Sequence, residues 1–341
     1  MSGGRALQVM IVLASAIIVT AAAMAAQSVV APVVFAIFVI ALVWPLQGAL
    51  QMRIPQLAAL LVTMLVALVT LVGLCLVIAW AFGSVGQWVV ANASNLQLLY
   101  QQKIAWLEAR GIPAAGALGS FDPRWMVRVA QTVLSQLQGL VSFTLLTLVF
   151  VILGLLEVDV AHRQMLHLGQ GTPAALLRAA ARTASKLRTY MLVRTAASVV
   201  TGLAVWAFAA WLGLELAAEW GAIALVLNYI PFIGPLVATL FPTVFAVLQF
   251  GTWQIAITVF AVLQIIQFVG GSYLEPRLTG KRLAVSPFMV LVAVFVGGYV
   301  WGIAGAFIGV PVLIAALTIC EEFPGARWVA ELYSGRDPPP G

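Results

Sequence analysis

The sequence predicts an all-α fold: a polytopic transmembrane helical bundle with two broken or re-entrant helical hairpins, near residues 216–250 and 283–319. Three observations predict it. Hydrophobic residues fill 63% of the 341 positions and charged residues 8%, with a mean hydropathy of +1.09, too little charge to cover a soluble surface. The apolar residues come in long runs and not in alternating ten-residue segments, so helices and not a barrel satisfy the backbone in lipid. Two of those runs are interrupted, by "NYIPFIGP" at 228–235 and by "GGYVWGIAG" at 297–305.

Apolar spans of about twenty residues run from Leu7 to Ala26, Val30 to Leu50 and Leu57 to Phe82, then from Leu140 to Leu156 and from Ala196 to Leu212. The first has one Arg, an apolar stretch and small residues, which suits either a retained span or a secretory signal. "QSVVAP" leaves room only for a tight hairpin between the first two spans. "QMRIPQ" turns the chain again, with Pro55 at a helix start. The chain divides into N-terminal membrane helices (1–83), an amphipathic extramembrane arm (84–137), a membrane core (138–320) and a polar tail (321–341) expected to be mostly disordered. In the arm, Leu96, Leu99, Tyr100, Lys103, Ile104 and Leu107 fall at helical spacing, and "ARGIPAAGALGSFDPR" ends that helix. Such an arm packs on its own protein or on a neighbouring subunit, or binds a lipid surface or a substrate.

Basic residues set the orientation. Arg163, Arg178, Arg182, Lys186, Arg188 and Arg194 mark a cytoplasmic segment, and Arg277, Lys281 and Arg282 a second one. "GLELAAEW", with Glu215 and Glu219, then lies outside. Between Glu219 and the basic cluster at 277–282 the chain passes Leu216 to Ile230, the break, Leu236 to Phe250, and Ile255 to Tyr273. One kinked span would put that cluster outside. Two full spans keep the parity, but fifteen residues reach only ~22 Å of a ~30 Å hydrocarbon layer. A re-entrant hairpin entering from outside resolves the conflict. A second hairpin at 283–319, entering from inside, keeps the tail cytoplasmic, and broken helices of this kind are expected of secondary transporters with inverted repeats.

The tips carry the polar chemistry. Pro231 and Pro235 lack N–H groups, so the carbonyls of Leu227 and Pro231 lose their helical partners and must face protein, water, an ion or a substrate. Asn228 offers an amide that donates and accepts, and Gly234 allows close approach of backbone or ligand. A proline kink needed only for packing is the plainer alternative. Gln264 and Gln267, three apart, share a helix face, followed by Gly270 and Gly271. Glu275 is either a proton or cation site or the interfacial partner of Arg277 or Lys281. In the second hairpin Gly298/Gly302 and Gly305/Gly309 form small-xxx-small pairs for close helix contact, with Pro311 as a kink and Trp301 as packing or an interface marker.

Other classes are excluded or unsupported. The 17 Lys and Arg are scattered at the ends of apolar runs, which argues against nucleic acid as a partner. Cys75 and Cys320 read as buried small hydrophobes. No H-E-x-x-H, G-x-S-x-G or Walker motif occurs, so the chain does not read as an enzyme and calls for no cofactor. His162 and His167 read as solvated. Uphill movement of a solute would need an H+ or Na+ gradient or a partner.

"LVLNYIPFIGP" at 225–235, "YLEPRLTGKRLAVSPFMVL" at 273–291 and "YVWGIAGAFIGVPV" at 299–312 together resemble the autoinducer-2 exporter family of bacterial membrane proteins. "PLQGALQMRIPQLAALL" and "RTYMLVRTAASVVTGLAVWAFAAWLGL" are similar in kind and order. The resemblance implies a multi-pass transporter of the bacterial inner membrane, an exporter of a quorum-sensing signal, with some relatives described as Na+(Li+)/H+ antiporters and as homo-oligomers. It marks Asn228, Pro231, Gly234, Glu275, Pro276, Gly280 and Pro311. Two departures from the family pattern, Ser272 and Trp44 in place of Asn, each remove an amide. The expected role is passage of a small polar solute through a site at Asn228, Pro231, Gly234 and Pro235, with Gln264, Gln267 and Glu275 close by and Pro276, Arg277, Gly280, Gly298, Gly302, Gly305 and Pro311 as structural motif positions. A membrane scaffold or regulatory subunit is the alternative from another class.

Overall fold

The computed structural model describes residues 2–109, 124–169, 171–274, 277 and 285–333. Those residues are almost entirely helical: α1 (Ser2–Ala25), α2 (Gln27–Gln51), α3 (Gln56–Ala91), α4 (Ala93–Glu108), α5 (Arg124–His167), α6 (Thr172–Leu212), α7 (Ala217–Leu227), α8 (Ile233–Phe250), α9 (Trp253–Phe268) followed by a π-helical turn (Val269–Leu274), α10 (Pro287–Glu322) and α11 (Arg327–Tyr333). Among the described residues, seven helices are long and apolar enough to cross a membrane. Their apolar side chains face outward. Only 11% of the most apolar stretch of α3 is buried, and Leu61, Leu65, Val69 and Leu76 lie exposed along it. Water would not tolerate such a surface, whereas lipid solvates it. The chain is a multi-pass membrane protein.

Two compact units are present. Unit 1 holds residues 1–71, 143–191 and 281–341, and unit 2 holds 72–142 and 192–280. Each contains one broken helical hairpin.

In unit 2, α7 runs antiparallel to the second half of α6. The two backbones meet at glycines: a Cβ on Gly202 would lie 2.8 Å from the Gly221 carbonyl, and one on Gly221 would lie 2.6 Å from the Cβ of Trp206. Further along, the Tyr229 hydroxyl donates to Thr195 Oγ1 at 2.8 Å. α8 returns from the turn, and Gln249 near its end closes the loop before α7, accepting from the Glu215 N–H and donating to the Gly213 carbonyl, both at 2.8 Å. Val205, Trp220, Ile223, Phe245, Val259 and Leu263 form the centre of the unit's core. The Trp88 ring lies 4.4 Å from Phe245, whose other neighbour is Trp220 at 5.2 Å.

In unit 1, α10 is one helix by hydrogen bonding but leaves helical geometry at Trp301 (φ −132°, ψ 21°) and Gly302 (φ 62°, ψ −142°). Its two arms fold back on each other. A Cβ on Gly297 would strike the Gly305 carbonyl, one on Gly305 would strike the Gly297 carbonyl, and one on Gly309 would strike the Ala293 carbonyl. These contacts are symmetric about position 301, so backbone packs on backbone along the whole hairpin. The close approach therefore uses Gly297, Gly305 and Gly309, while Gly298 faces Ala306 and Gly302 makes the turn that its positive φ suits. Trp301 Nε1 donates to the Ala23 carbonyl at 3.0 Å, one of the last carbonyls of α1 that have no helical donor. Pro311 is buried in the returning arm.

Several elements exceed their sequence signal. α5 and α6 extend well past the apolar spans 140–156 and 196–212, because Arg, Lys, Gln and Ala continue a helix once it leaves hydrocarbon. The arm helix is present as α4; the side chains of Leu96, Leu99, Tyr100, Lys103, Ile104 and Leu107, and the break at 110–123, lie outside the described residues. The tail departs from the expectation of disorder: Glu321 and Glu322 end α10, and α11 follows, with Ala330 buried and the Tyr333 carbonyl accepting from the Ser286 N–H at 3.2 Å.

Glu321 and Glu322 sit at a helix C-terminus, where the helix dipole disfavours carboxylates. A row on α6 offsets this. Arg178 and Arg182 reach Glu322 at 3.2 and 2.6 Å, and Lys186 reaches Glu321 at 2.7 Å. The three cations are four residues apart and so line one face. Solvent screens the Arg side chains, which are 58% and 60% exposed, so the row contributes about 1–2 kcal/mol in total. Glu322→Arg should lower the unfolding midpoint in detergent, and combining it with Arg178→Glu and Arg182→Glu should restore most of the loss. The difference should shrink at about 1 M salt, where the Debye length is ~3 Å.

Candidate functional site

At the tip of the first hairpin the chain leaves α7 and turns through residues 228–232. The sequence left the carbonyls of Leu227 and Pro231 without partners, but both are satisfied locally. Leu227 accepts from the Ile230 N–H at 2.9 Å and Pro231 from the Ile233 N–H at 2.7 Å, while Ile230 accepts from the Gly234 N–H at 3.0 Å. Tight turns replace helical partners, because the chain bends within two or three residues of each proline. The Pro231–Ile233 bond encloses Phe232 in a γ-turn at φ 63°, ψ −51°, the strained member of that class. Gly234 is obligatory here, since a Cβ would run into the Leu227 carbonyl.

With the Leu227 and Pro231 carbonyls satisfied, buried side chains of the same unit carry unpaired polar atoms. Asn228 is 8% exposed and its Oδ1 has no hydrogen-bond partner. Ser198, fully buried on α6, has an unpartnered Oγ, and Gln267, 7% exposed on α9, has an unpartnered Nε2. An unmet buried polar group costs about 1–3 kcal/mol, so three in one unit need an explanation. Ser198 lies in a polar stripe on α6, and the near neighbours of Asn228 and Gln267 along the chain, Tyr229 and Gly270, touch that helix. Arg194, Ser198 and Thr201 are all buried at helical spacing on α6, with Val205 one turn further on. The Tyr229–Thr195 bond holds the tip beside the start of that stripe. At its other end Gly270, in the π-helical turn three residues after Gln267, packs so closely on Thr201 that a Cβ would strike Oγ1.

Gln264 and Gln267 diverge: Gln264 is exposed and Gln267 is buried in line with Leu263 and Gly270. Pro231 is buried and Pro235 half-buried at the start of α8, where Thr239 Oγ1 donates to the Pro235 carbonyl at 2.9 Å. Glu275, Pro276 and Gly280 lie outside the described residues. Arg277 stacks over the Tyr273 ring at 4.1 Å. Arg194, Ser198 and Thr201 were not singled out as site residues from sequence; the signal was there as polar residues at i, i+4 and i+7 inside an apolar run. Thr195 lies 17 residues before the end of α6 at Leu212, so the tip sits ~25 Å along that helix from its C-terminal end.

Unit 1 has a second polar cluster. Trp44 Nε1 donates to Asp159 Oδ1 at 3.1 Å and Gln51 Nε2 to Asp159 Oδ2 at 3.3 Å. Gln51, Gln56, Asp159, His162 and Arg163 line an open cavity of about 360 Å³. Trp44 thus supplies one of the two donors to Asp159. His162 packs 5.6 Å from the Trp44 ring, while His167 is exposed.

Comparison with known proteins bears on the whole chain. A family model described as AI-2E family transporter matches residues 12–325. AI-2 transport protein TqsA of Escherichia coli (strain K12) is 27% identical over 334 residues, 96% of either chain. YhhT of the same organism is 25% identical over 334 residues, 96% of this chain and 94% of its own. YrrI of Bacillus subtilis (strain 168) is 30% identical over 125 residues, 37% of this chain and 34% of its own.

The tip geometry separates two substitutions. Phe232→Gly releases a backbone strain of about 1–3 kcal/mol against about 1 kcal/mol for the added freedom of the unfolded chain, so its thermal midpoint should match or exceed that of the parent. Gly234→Ala should lower the midpoint by the equivalent of about 1–3 kcal/mol, since the new methyl meets backbone and not a movable side chain.

Proposed function

Because the chain belongs to the AI-2E transporter family, we propose that this membrane transporter exports a small polar solute, a quorum-sensing signal of autoinducer-2 type, across the bacterial inner membrane. The observation that carries the reading is the buried stripe beside the first hairpin tip. Ser198 Oγ, Asn228 Oδ1 and Gln267 Nε2 stand without protein partners in a chain whose outer surface is apolar. A solute with hydroxyl and carbonyl groups complements an acceptor, a donor and a hydroxyl that does both. Alternating access would come from rearrangement of broken helices, in which the short turns at 228–232 and 301–302 act as hinges. An H+ or Na+ gradient, or a partner protein, would drive uphill movement. The name of the relative TqsA supports autoinducer-2 as the solute to test first.

The test is flux of autoinducer-2 in reconstituted vesicles. Asn228→Leu removes the amide from the tip and should lower flux at least about tenfold, the equivalent of ~1.4 kcal/mol or one hydrogen bond to a buried group. The variant should keep its elution profile and melting temperature. Undiminished flux through a folded Asn228→Leu protein would remove the tip from the pathway.

A further inference from the structure

We propose that the open cavity of unit 1 is a lipid site, which holds the phosphoethanolamine headgroup of a zwitterionic phospholipid from the cytoplasmic leaflet. The inference is independent of the solute that the protein moves.

The cavity lies at a membrane edge. Asp159 comes three residues after the apolar run 140–156 of α5, and the basic segment that begins with Arg163 puts this edge on the cytoplasmic side. Gln51 ends α2 and Gln56 opens α3, so the turn between two membrane helices contributes the rest of the wall. Apolar side chains flank the opening: Met52 and Leu57 beside the turn, and Leu156 and Val160 on α5, are all exposed. Lipid solvates such side chains, so a headgroup reaches the opening without leaving the bilayer. The volume of about 360 Å³ is near the small end of ligand sites, which run from ~300 to ~1,000 Å³.

The lining carries a carboxylate and a guanidinium. Asp159 and Arg163 are four residues apart on α5 and share a face. Among the described residues they form no ion pair with each other. Asp159 turns to α2, where Trp44 Nε1 and Gln51 Nε2 each donate to one of its oxygens. These bonds fix the carboxylate and leave it room for further donors, since its two oxygens have about four acceptor positions. One more acceptor lies on that face of α2: Gln47, at helical spacing between Trp44 and Gln51, is 2% exposed with Oε1 unpartnered. A primary ammonium, with three N–H donors, answers both. The opposite demand comes from Arg163, an exposed fork of donors that suits phosphate oxygens. The start of α3 at Gln56 adds to it, since the first N–H groups of a helix have no helical acceptor and its dipole favours an anion. The amine and phosphate of phosphoethanolamine, joined through two carbons, sit on the order of one helical turn apart, as Asp159 and Arg163 do. A purely anionic headgroup would meet Asp159 without an amine to offer, and a choline headgroup has no N–H to donate.

The test is lipid retention by the full chain, purified in detergent and read by native mass spectrometry. The probes are phosphatidylethanolamine, phosphatidylcholine and phosphatidylglycerol with identical acyl chains, offered at equal mole fraction. The parent should retain phosphatidylethanolamine at least about fivefold over either of the others. Arg163→Gln, at an exposed position, should lower that retention about fivefold with the melting temperature unchanged, and Gln56→Glu, which sets a carboxylate beside the phosphate, should lower it as well. Asp159→Asn should remove the preference over phosphatidylglycerol. A parent with no preference among the three lipids would overturn the inference. So would folded Arg163→Gln and Gln56→Glu proteins that retain phosphatidylethanolamine as the parent does, whether or not Asp159→Asn folds. Free phosphoethanolamine that displaces the lipid at equal concentration would also overturn it, because the site would then belong to a soluble compound.

Discussion

A peptide group in hydrocarbon has no water to turn to, so a membrane helix can break only where its backbone finds other partners. The turn at 227–234 meets that condition for the Leu227, Ile230 and Pro231 carbonyls. The Ile230, Ile233 and Gly234 N–H groups are each spent on a carbonyl two to four residues back. Beside these short turns, unpaired polar atoms sit on buried side chains. Asn228 Oδ1 and Ser198 Oγ on α6 are polar atoms that no protein group answers. The arrangement suits a site whose partner comes and goes.

The same constraint explains the glycines. Two helical arms that share a turn of two to five residues start close together, and side chains would force them apart. Gly234 against Leu227, Gly202 against Gly221 and Gly297 against Gly305 let backbone rest on backbone. The second hairpin differs in how its tip is held. Trp301 reaches a terminal carbonyl of α1, and the far end of α10 is gripped by three cations of α6. The first hairpin is held by neutral groups as well, Gln249 at the loop and Tyr229 at the tip.

Much of this was legible in the sequence. Two prolines, a glycine and an asparagine in eight apolar positions announce the first break, and "GGYVWGIAG" announces the second, because these residues remove donors or tolerate unusual φ. The helical bundle follows from run length and composition. The satisfaction of Leu227 and Pro231 was not legible, since a tight turn depends on the whole path of the chain and not on proline alone. Arg194 counts as a topology charge in the sequence because burial cannot be seen in a residue list, although its spacing to Ser198 and Thr201 is visible there. The pairing of Glu321 and Glu322 with α6 joins residues more than 130 positions apart, and local polarity suggested only a loose tail.

The most direct test of the account is whether water reaches Asn228 in the folded protein within a bilayer. With Cys75 and Cys320 replaced, a single cysteine at position 228 should react with a membrane-impermeant, water-borne thiol reagent in intact vesicles, and saturating solute should slow that reaction. A cysteine at 228 that stays unreactive until the protein is unfolded would mean a sealed, dry turn, and the solute path would have to lie elsewhere.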